Sequence, residues 1–105
     1  MMKAYKVEVA AGVAKDIRKL KLSKPHIEKL QRKIHEIAKN PLPKTEGGYG
    51  EPVSSKEQKE RYMKFRFLDD YRVIYTLVMD EHVMKVLVIG LRKDKEAYQE
   101  LLKRI

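Results

Sequence analysis

Cysteine is absent from these 105 residues, which excludes disulfides and every metal site built on thiolates. No apolar run approaches the length of a membrane span, and the opening MMKAYKVEVA lacks the long apolar stretch of a secretory signal. The expectation is therefore a cytoplasmic chain with no membrane association. The histidines, His26, His35 and His82, show no metal-like spacing, so neither metal nor cofactor is expected. Carboxylates are scattered, with no pair bracketed by apolar residues as an acid/base dyad needs. Ser54 and Ser55 have no adjacent base to activate them. GGYG at 47–50 lacks both the GK[ST] continuation and the preceding strand of a nucleotide loop.

What the chain does have is positive charge. Its net charge is +9, and 37% of its residues are charged against 43% hydrophobic. Residues 1–40 carry +7 of that excess and the remainder +2. Such a chain favours polyanions, since clustered Lys and Arg bind phosphates by releasing counterions; Lys-rich helices kept soluble by their charge are the plainer explanation. The length suits one domain over residues 1–105.

Apolar periodicity divides the chain. Tyr5, Val7 and Val9 alternate with polar residues, as in a strand. Val13, Ile17 and Leu20 then fall on one helix face. Ser23 or Lys24 before Pro25 restarts the chain into a second helix with an Ile27, Leu30, Ile34 and Ile37 stripe, stopped at Asn40-Pro41. Residues 41–60 read as a long connecting loop. RYMKFRFL, YRVIYTLVM and HVMKVLVIG read as three strands joined by short turns, hence an antiparallel meander. A last helix follows, with Asp94 as N-cap and Ala97, Leu101 and Ile105 in a row. The order βααβββα predicts an α+β fold with the helices on one sheet face and the other face, or its rim, open to a ligand.

Strand alternation puts Tyr62, Lys64 and Arg66 on one face and Met63, Phe65 and Phe67 on the other. The apolar set needs the core, so the basic set is expected to face outward. Arg72 opens the next strand in phase with Ile74, Thr76 and Val78. Arg92 follows the last strand, and Tyr98 sits six residues further on. Neighbouring strands thus supply cations to one patch, where an arginine fork can hold two phosphate oxygens. Each residue also has a structural explanation: solvation for Lys64 and Arg66, pairing with Asp69 or Asp70 for Arg72, core packing beside Leu101 and Leu102 for Tyr98.

KFRFLDDYRVIY and GLRKDKEAYQELLKRI resemble the central hairpin and C-terminal end of the RelE toxins, in the wider RelE/ParE superfamily of type II toxin–antitoxin systems. The resemblance runs through nearly the whole chain, and the arginine shortly after a glycine, six residues before a tyrosine, is its most specific part. It implies a RelE-like fold and a ribosome-dependent mRNA endoribonuclease in which the ribose 2′-hydroxyl attacks the adjacent phosphate. Arg72, Arg92 and Tyr98 sit where that family keeps catalytic residues, and Lys64 and Arg66 look like its alternating basic pair. The implied roles are proton acceptance by Lys64 or Tyr98, charge stabilisation by Arg92 and Arg66, and assistance from Arg72 at the phosphate or leaving oxygen; Tyr98 is alternatively a base-stacking ring. Lys15, Arg18, Lys19, Lys29, Arg32 and Lys33 would then grip ribosomal RNA. The implied partners are a cognate antitoxin and mRNA on the ribosome. The rival readings are a gyrase-directed ParE-like toxin without nuclease activity, a ribosome-independent ribonuclease of the same fold, and an inactive RNA-binding or repressor-partner module.

Overall fold

The computed structural model describes residues 3–53, 62–92 and 96–104, the side chains of Glu96 and Tyr98 excepted. In chain order these form β1 (Lys6–Val9), α1 (Ala11–Lys19), α2 (Lys24–Ile37), β2 (Glu51–Pro52), β3 (Tyr62–Phe67), β4 (Tyr71–Val78), β5 (Val83–Leu91) and α3 (Glu96–Arg104). The α2 start follows the expected chemistry: the Ser23 side chain accepts a hydrogen bond from the His26 N–H at 3.3 Å, with Pro25 in the first turn. Asp94, expected to cap α3, lies outside the described residues, as do Ser54, Ser55 and the rest of 54–61.

The strands make one sheet in the order β1-β5-β4-β3-β2. β3, β4 and β5 form the expected antiparallel meander. β1 pairs parallel with β5, Lys6 opposite Val83 and Val9 opposite Val86. The 41–60 loop is not wholly irregular, because β2 adds a short rung with Glu51 opposite Lys64.

Both sheet faces are covered, which corrects the expectation of helices on one face only. Leu30, Ile34 and Ile37 of α2, with Val13 of α1, pack against Met63, Phe65, Phe67, Val73, Tyr75 and Met84. On the opposite face Ala97 and Leu101 of α3 pack against Tyr62, Ile74 and Val88. The cause is visible in β4 and β5. Val73, Ile74 and Tyr75 are consecutive and all buried, as are Val88 and Ile89. An apolar run without alternation buries both faces and needs cover on both. Tyr62 is corrected for the same reason. It was expected to face solvent but is 7% exposed, in the cluster with Ala97 and Leu101.

A bulge marks the middle of β5. Pairing to β4 jumps from Ile74–Val88 to Tyr75–Val86, so Leu87 is an extra residue. By this point β1 has ended, and side chains satisfy the edge of β5 instead. Asp16 Oδ2 accepts from the Ile89 N–H at 3.1 Å, and Arg104 Nη1 donates to the Leu87 carbonyl at 2.8 Å. Arg104 also holds the Asp16 carboxylate with both guanidinium ends, at 2.7 and 3.0 Å. This fork joins α3 to α1 around the rim of β5 and leaves the buried Asp16 charge compensated. Among the described residues, no helix is long and apolar enough to cross a membrane.

Candidate functional site

The strand register decides which side chains meet. Lys64 lies opposite Ile74, Arg66 opposite Arg72, and Arg72 opposite Gly90. Residues opposite one another in an antiparallel pair share a face, so Lys64, Arg66 and Arg72 stand on the face that carries α3. They border a cleft of roughly 340 Å³ that is also lined, among the described residues, by Glu51, Leu91, Arg92 and Ala97. Four expected residues, Lys64, Arg66, Arg72 and Arg92, are thus brought together from β3, β4 and the end of β5. The Tyr98 side chain lies outside the described residues; its chain neighbour Ala97 lines the cleft.

The three-residue turn between β3 and β4 positions two of these arginines. Leu68 and Asp69 have φ of 50° and 57°, a left-handed conformation costing roughly 1–2 kcal/mol per residue outside glycine. The turn's carbonyls are put to use. Arg72, 8% exposed, donates from Nη1 to the Asp69 carbonyl at 3.2 Å and the Tyr71 carbonyl at 2.9 Å. The Arg92 N–H donates to the Asp70 carbonyl at 2.8 Å. One guanidinium is therefore oriented by the main chain, and the arginine after β5 is anchored at its backbone to the same turn.

Glu51 is the site residue that sequence reasoning missed. It sits on β2 beside Lys64, and its Oε1 is 3.0 Å from Lys44 Nζ. The hydrogen bond from Lys44 holds its carboxyl below the usual carboxylate range; burial opposes this, and the charges of Lys44, Lys64 and Arg66 reinforce it. The cleft thus offers a fixed anion at one end and a lysine and three arginines around the rest. A phosphodiester fits that balance, since cations outnumber the carboxylate and arginine forks match phosphate oxygens.

The remaining basic residues lie elsewhere. Lys15, Arg18 and Lys19 on α1 and Lys29 and Arg32 on α2 are exposed, on helices that cover the other sheet face. Lys33 is half-buried and lines an adjoining hollow, together with Arg66 and Glu51. None of these six borders the arginine cleft. The histidines are outside it too. His35 Nδ1 meets the Gln31 carbonyl at 2.8 Å, and His82 stacks on Tyr5 with ring centroids 3.8 Å apart. Among the described residues, no group of three or more His, Asp or Glu side chains is placed to hold a metal ion.

Comparison with solved structures places this architecture. A mutant of the Escherichia coli toxin RelE in the free state superposes with a TM-score of 0.71 at 23% identity, covering 98% of this chain and 99% of the other. The archaeal RelE–RelB complex from Pyrococcus horikoshii OT3 gives 0.63 at 23% identity, over 86% of this chain and 97% of the matched one. The intact E. coli RelBE toxin–antitoxin complex gives 0.61 at 20% identity, over 84% and 96%. At these identities the likeness speaks for the fold, and the RelE-like α+β expectation holds. A search among curated proteins found no match. Residues 7–96 match the family model described as the ParE toxin of the type II toxin–antitoxin system parDE, and the chain therefore belongs to that family, as a type II toxin of the RelE/ParE superfamily.

Proposed function

We propose that this toxin is a ribosome-dependent mRNA endoribonuclease and that the arginine cleft holds the scissile phosphate. The observation carrying this reading is the meeting of Lys64, Arg66, Arg72 and Arg92 around one cleft. In the proposed reaction the 2′-oxygen attacks phosphorus as its proton leaves. The bond from phosphorus to the 5′-oxygen breaks, and that oxygen takes up a proton. A 2′,3′-cyclic phosphate and a 5′-hydroxyl result, with no change of oxidation state. Arg92 and Arg66 stabilise the charge growing on the non-bridging oxygens, where preorganised donors contribute most. Arg72, fixed by the Asp69 and Tyr71 carbonyls, orients the phosphate. Lys64 or Tyr98 accepts the 2′-proton, and Glu51 adds a carboxylate within the same cleft. The ribosome supplies the substrate geometry that such a base set does not. The proposed setting is the cytoplasm, one domain over residues 1–105, with a cognate antitoxin as partner. RelE in complex with RelB, in the bacterial and archaeal structures above, supports that partner.

The test is single-turnover cleavage of mRNA on programmed ribosomes. Arg92→Ala is expected to slow the chemical step by roughly 100-fold or more; wild-type cleavage by that variant removes Arg92 from the mechanism. The family match to ParE toxins favours a second reading, a gyrase-directed toxin without nuclease activity. DNA supercoiling measured on the same preparation separates the two. Loss of supercoiling with intact mRNA selects the ParE-like reading, and cut mRNA with normal supercoiling selects the ribonuclease.

A further inference from the structure

The glycine-rich stretch at 47–50 has no part in the cleft just described, yet the fold builds it with care. The segment from Asn40 to Gly50 closes on itself through several bonds. Tyr49 N–H donates to the Asn40 carbonyl at 2.9 Å, Gly50 N–H to the Leu42 carbonyl at 3.0 Å, and Lys44 N–H to the Gly50 carbonyl at 2.8 Å. The buried Tyr75 hydroxyl pins it from below, donating to the Pro41 carbonyl at 2.7 Å. Gly48 and Gly50 leave no room for a side chain. A Cβ at Gly48 would collide with the Leu42 carbonyl, and one at Gly50 with the Tyr75 hydroxyl. The residue between them is Tyr49, 50% exposed. The exposed large apolar side chains among the described residues are Val9, Tyr49, Leu68, Met79 and Leu102. Of these only Tyr49 carries a ring, and it is held out on a pinned backbone.

The position of that ring gives it a use. A hollow of roughly 280 Å³ is lined by Lys33, Lys44, Tyr49, Glu51 and Arg66 among others. Glu51 and Arg66 also line the arginine cleft, so the two hollows share a wall at the edge of β3, where the short β2 begins. A shallower groove leads on from Tyr49 along α2, past Arg32 and Lys39. The Glu51 carboxylate at the junction is offset by Lys44 at 3.0 Å. The hollow beside the arginine cleft therefore carries Lys33, Lys44 and Arg66 against the carboxylates of Glu36 and Glu51, and ends on a solvent-facing aromatic ring whose backbone is pinned.

We propose that Tyr49 is a stacking platform for a base of single-stranded RNA flanking the scissile linkage, with Lys33 and Lys44 beside the adjoining phosphates. Rings that grip unstacked bases, interleaved with cations along the backbone, are how proteins hold single strands. A hollow at the lower end of the small-molecule range, about 300 Å³, has room for one base rather than a duplex. The proposal rests on the ribonuclease reading for its direction and extends that site by a nucleotide subsite.

The test measures binding, so it stands apart from catalysis. Dye-labelled 2′-O-methyl RNAs, which lack the attacking hydroxyl, are titrated as a dimer and as a non-self-complementary hexamer. Wild-type protein is expected to bind the hexamer at least about tenfold more tightly than the dimer, the order of gain that one base–aromatic stack provides. Tyr49→Ala should lose most of that length gain, and Tyr49→Phe, which keeps the ring, should retain it. An abasic unit at one hexamer position should reproduce the Tyr49→Ala loss and add nothing further in that variant. A length gain that survives intact in Tyr49→Ala overturns the proposal, as does a Tyr49→Ala defect confined to binding a protein partner. Failure of the ribonuclease reading shows differently: unmodified RNA stays uncut on the ribosome while the Tyr49-dependent length gain persists.

Discussion

Single residues in this protein are held by the main chain as much as by one another. Arg72 depends on the carbonyls of Asp69 in the turn and Tyr71 at the start of β4, and Tyr75 depends on one from Pro41. Burial pushes the Tyr75 phenol well above the usual tyrosine range, so it stays a hydrogen-bond donor at any working pH. Tyr75→Phe leaves a buried carbonyl without its donor and should cost about 1–2 kcal/mol, read as a lower denaturant midpoint with an unchanged slope. Glu51 makes a prediction with a definite sign. Its folded carboxyl titrates below its unfolded one, chiefly through the Lys44 hydrogen bond. The stability it contributes is therefore present above the ordinary glutamate pKa and is lost as pH falls through the depressed folded value. With about a third of the side chain exposed, the contribution is under about 1 kcal/mol. Glu51→Gln should flatten the acid side of a melting-temperature profile by that share, and an unchanged acid limb would dismiss the Lys44 contact. Lys64, Arg66 and Arg72 were legible because alternation along a strand is a local pattern, and Arg92 because of its place just after the last strand in a segment resembling the RelE toxins. Glu51 was not, since a strand of two residues leaves no periodic trace.

At the scale of elements, the Asp16–Arg104 fork is where α1, α3 and the edge of β5 meet. Arg104→Ala leaves Asp16, with a side chain only 8% exposed, without its cation. The expected loss is about 2–4 kcal/mol, scaled down from a fully buried pair because Arg104 itself is partly exposed. Hydrogen exchange should then quicken in α3 and around Leu87 and Ile89, while α2 stays protected; uniform protection across the chain would show that the fork does not seat α3. Helices and strands were readable from their periods, but YRVIY reads in the sequence only as a strong strand, and its burial on both sides emerges from the structure. The face chosen by α3 was not readable, and the burial of Tyr62 went with it. An apolar row of Ala97 and Leu101 says that a helix packs, and the sheet's second apolar face, assembled from three strands, says where. Asp16 gave no signal either: a carboxylate on a basic helix looks solvated until Arg104, 88 residues away, is brought beside it.

At the scale of the whole molecule, positive charge gathers on two separate surfaces. The arginine cleft lies on the α3 face, while Lys15, Arg18, Lys19, Lys29 and Arg32 stand exposed on the helices of the other face. If the helical cations grip ribosomal RNA, Lys19→Ala and Arg32→Ala should each lower the slope of log affinity against log salt by about 0.7–0.9, with the single-turnover cleavage rate of bound complexes unchanged. A salt slope identical to wild type would return those residues to the role of solubility. The sequence showed the excess of charge in its first 40 residues, but placing that charge opposite the cleft needed the three-dimensional arrangement.

The parallel pairing of β1 with β5 has a kinetic consequence. Residues 6–9 find their strand partner only at residues 83–86, so the sheet cannot be completed while the intervening segment is still emerging from the peptide exit tunnel. Contacts between such distant stretches form late. The rung Arg66–Arg72–Gly90 likewise waits for β5. The arginine cleft, which borders this rung, is therefore incomplete until the residues of β5 have been synthesised.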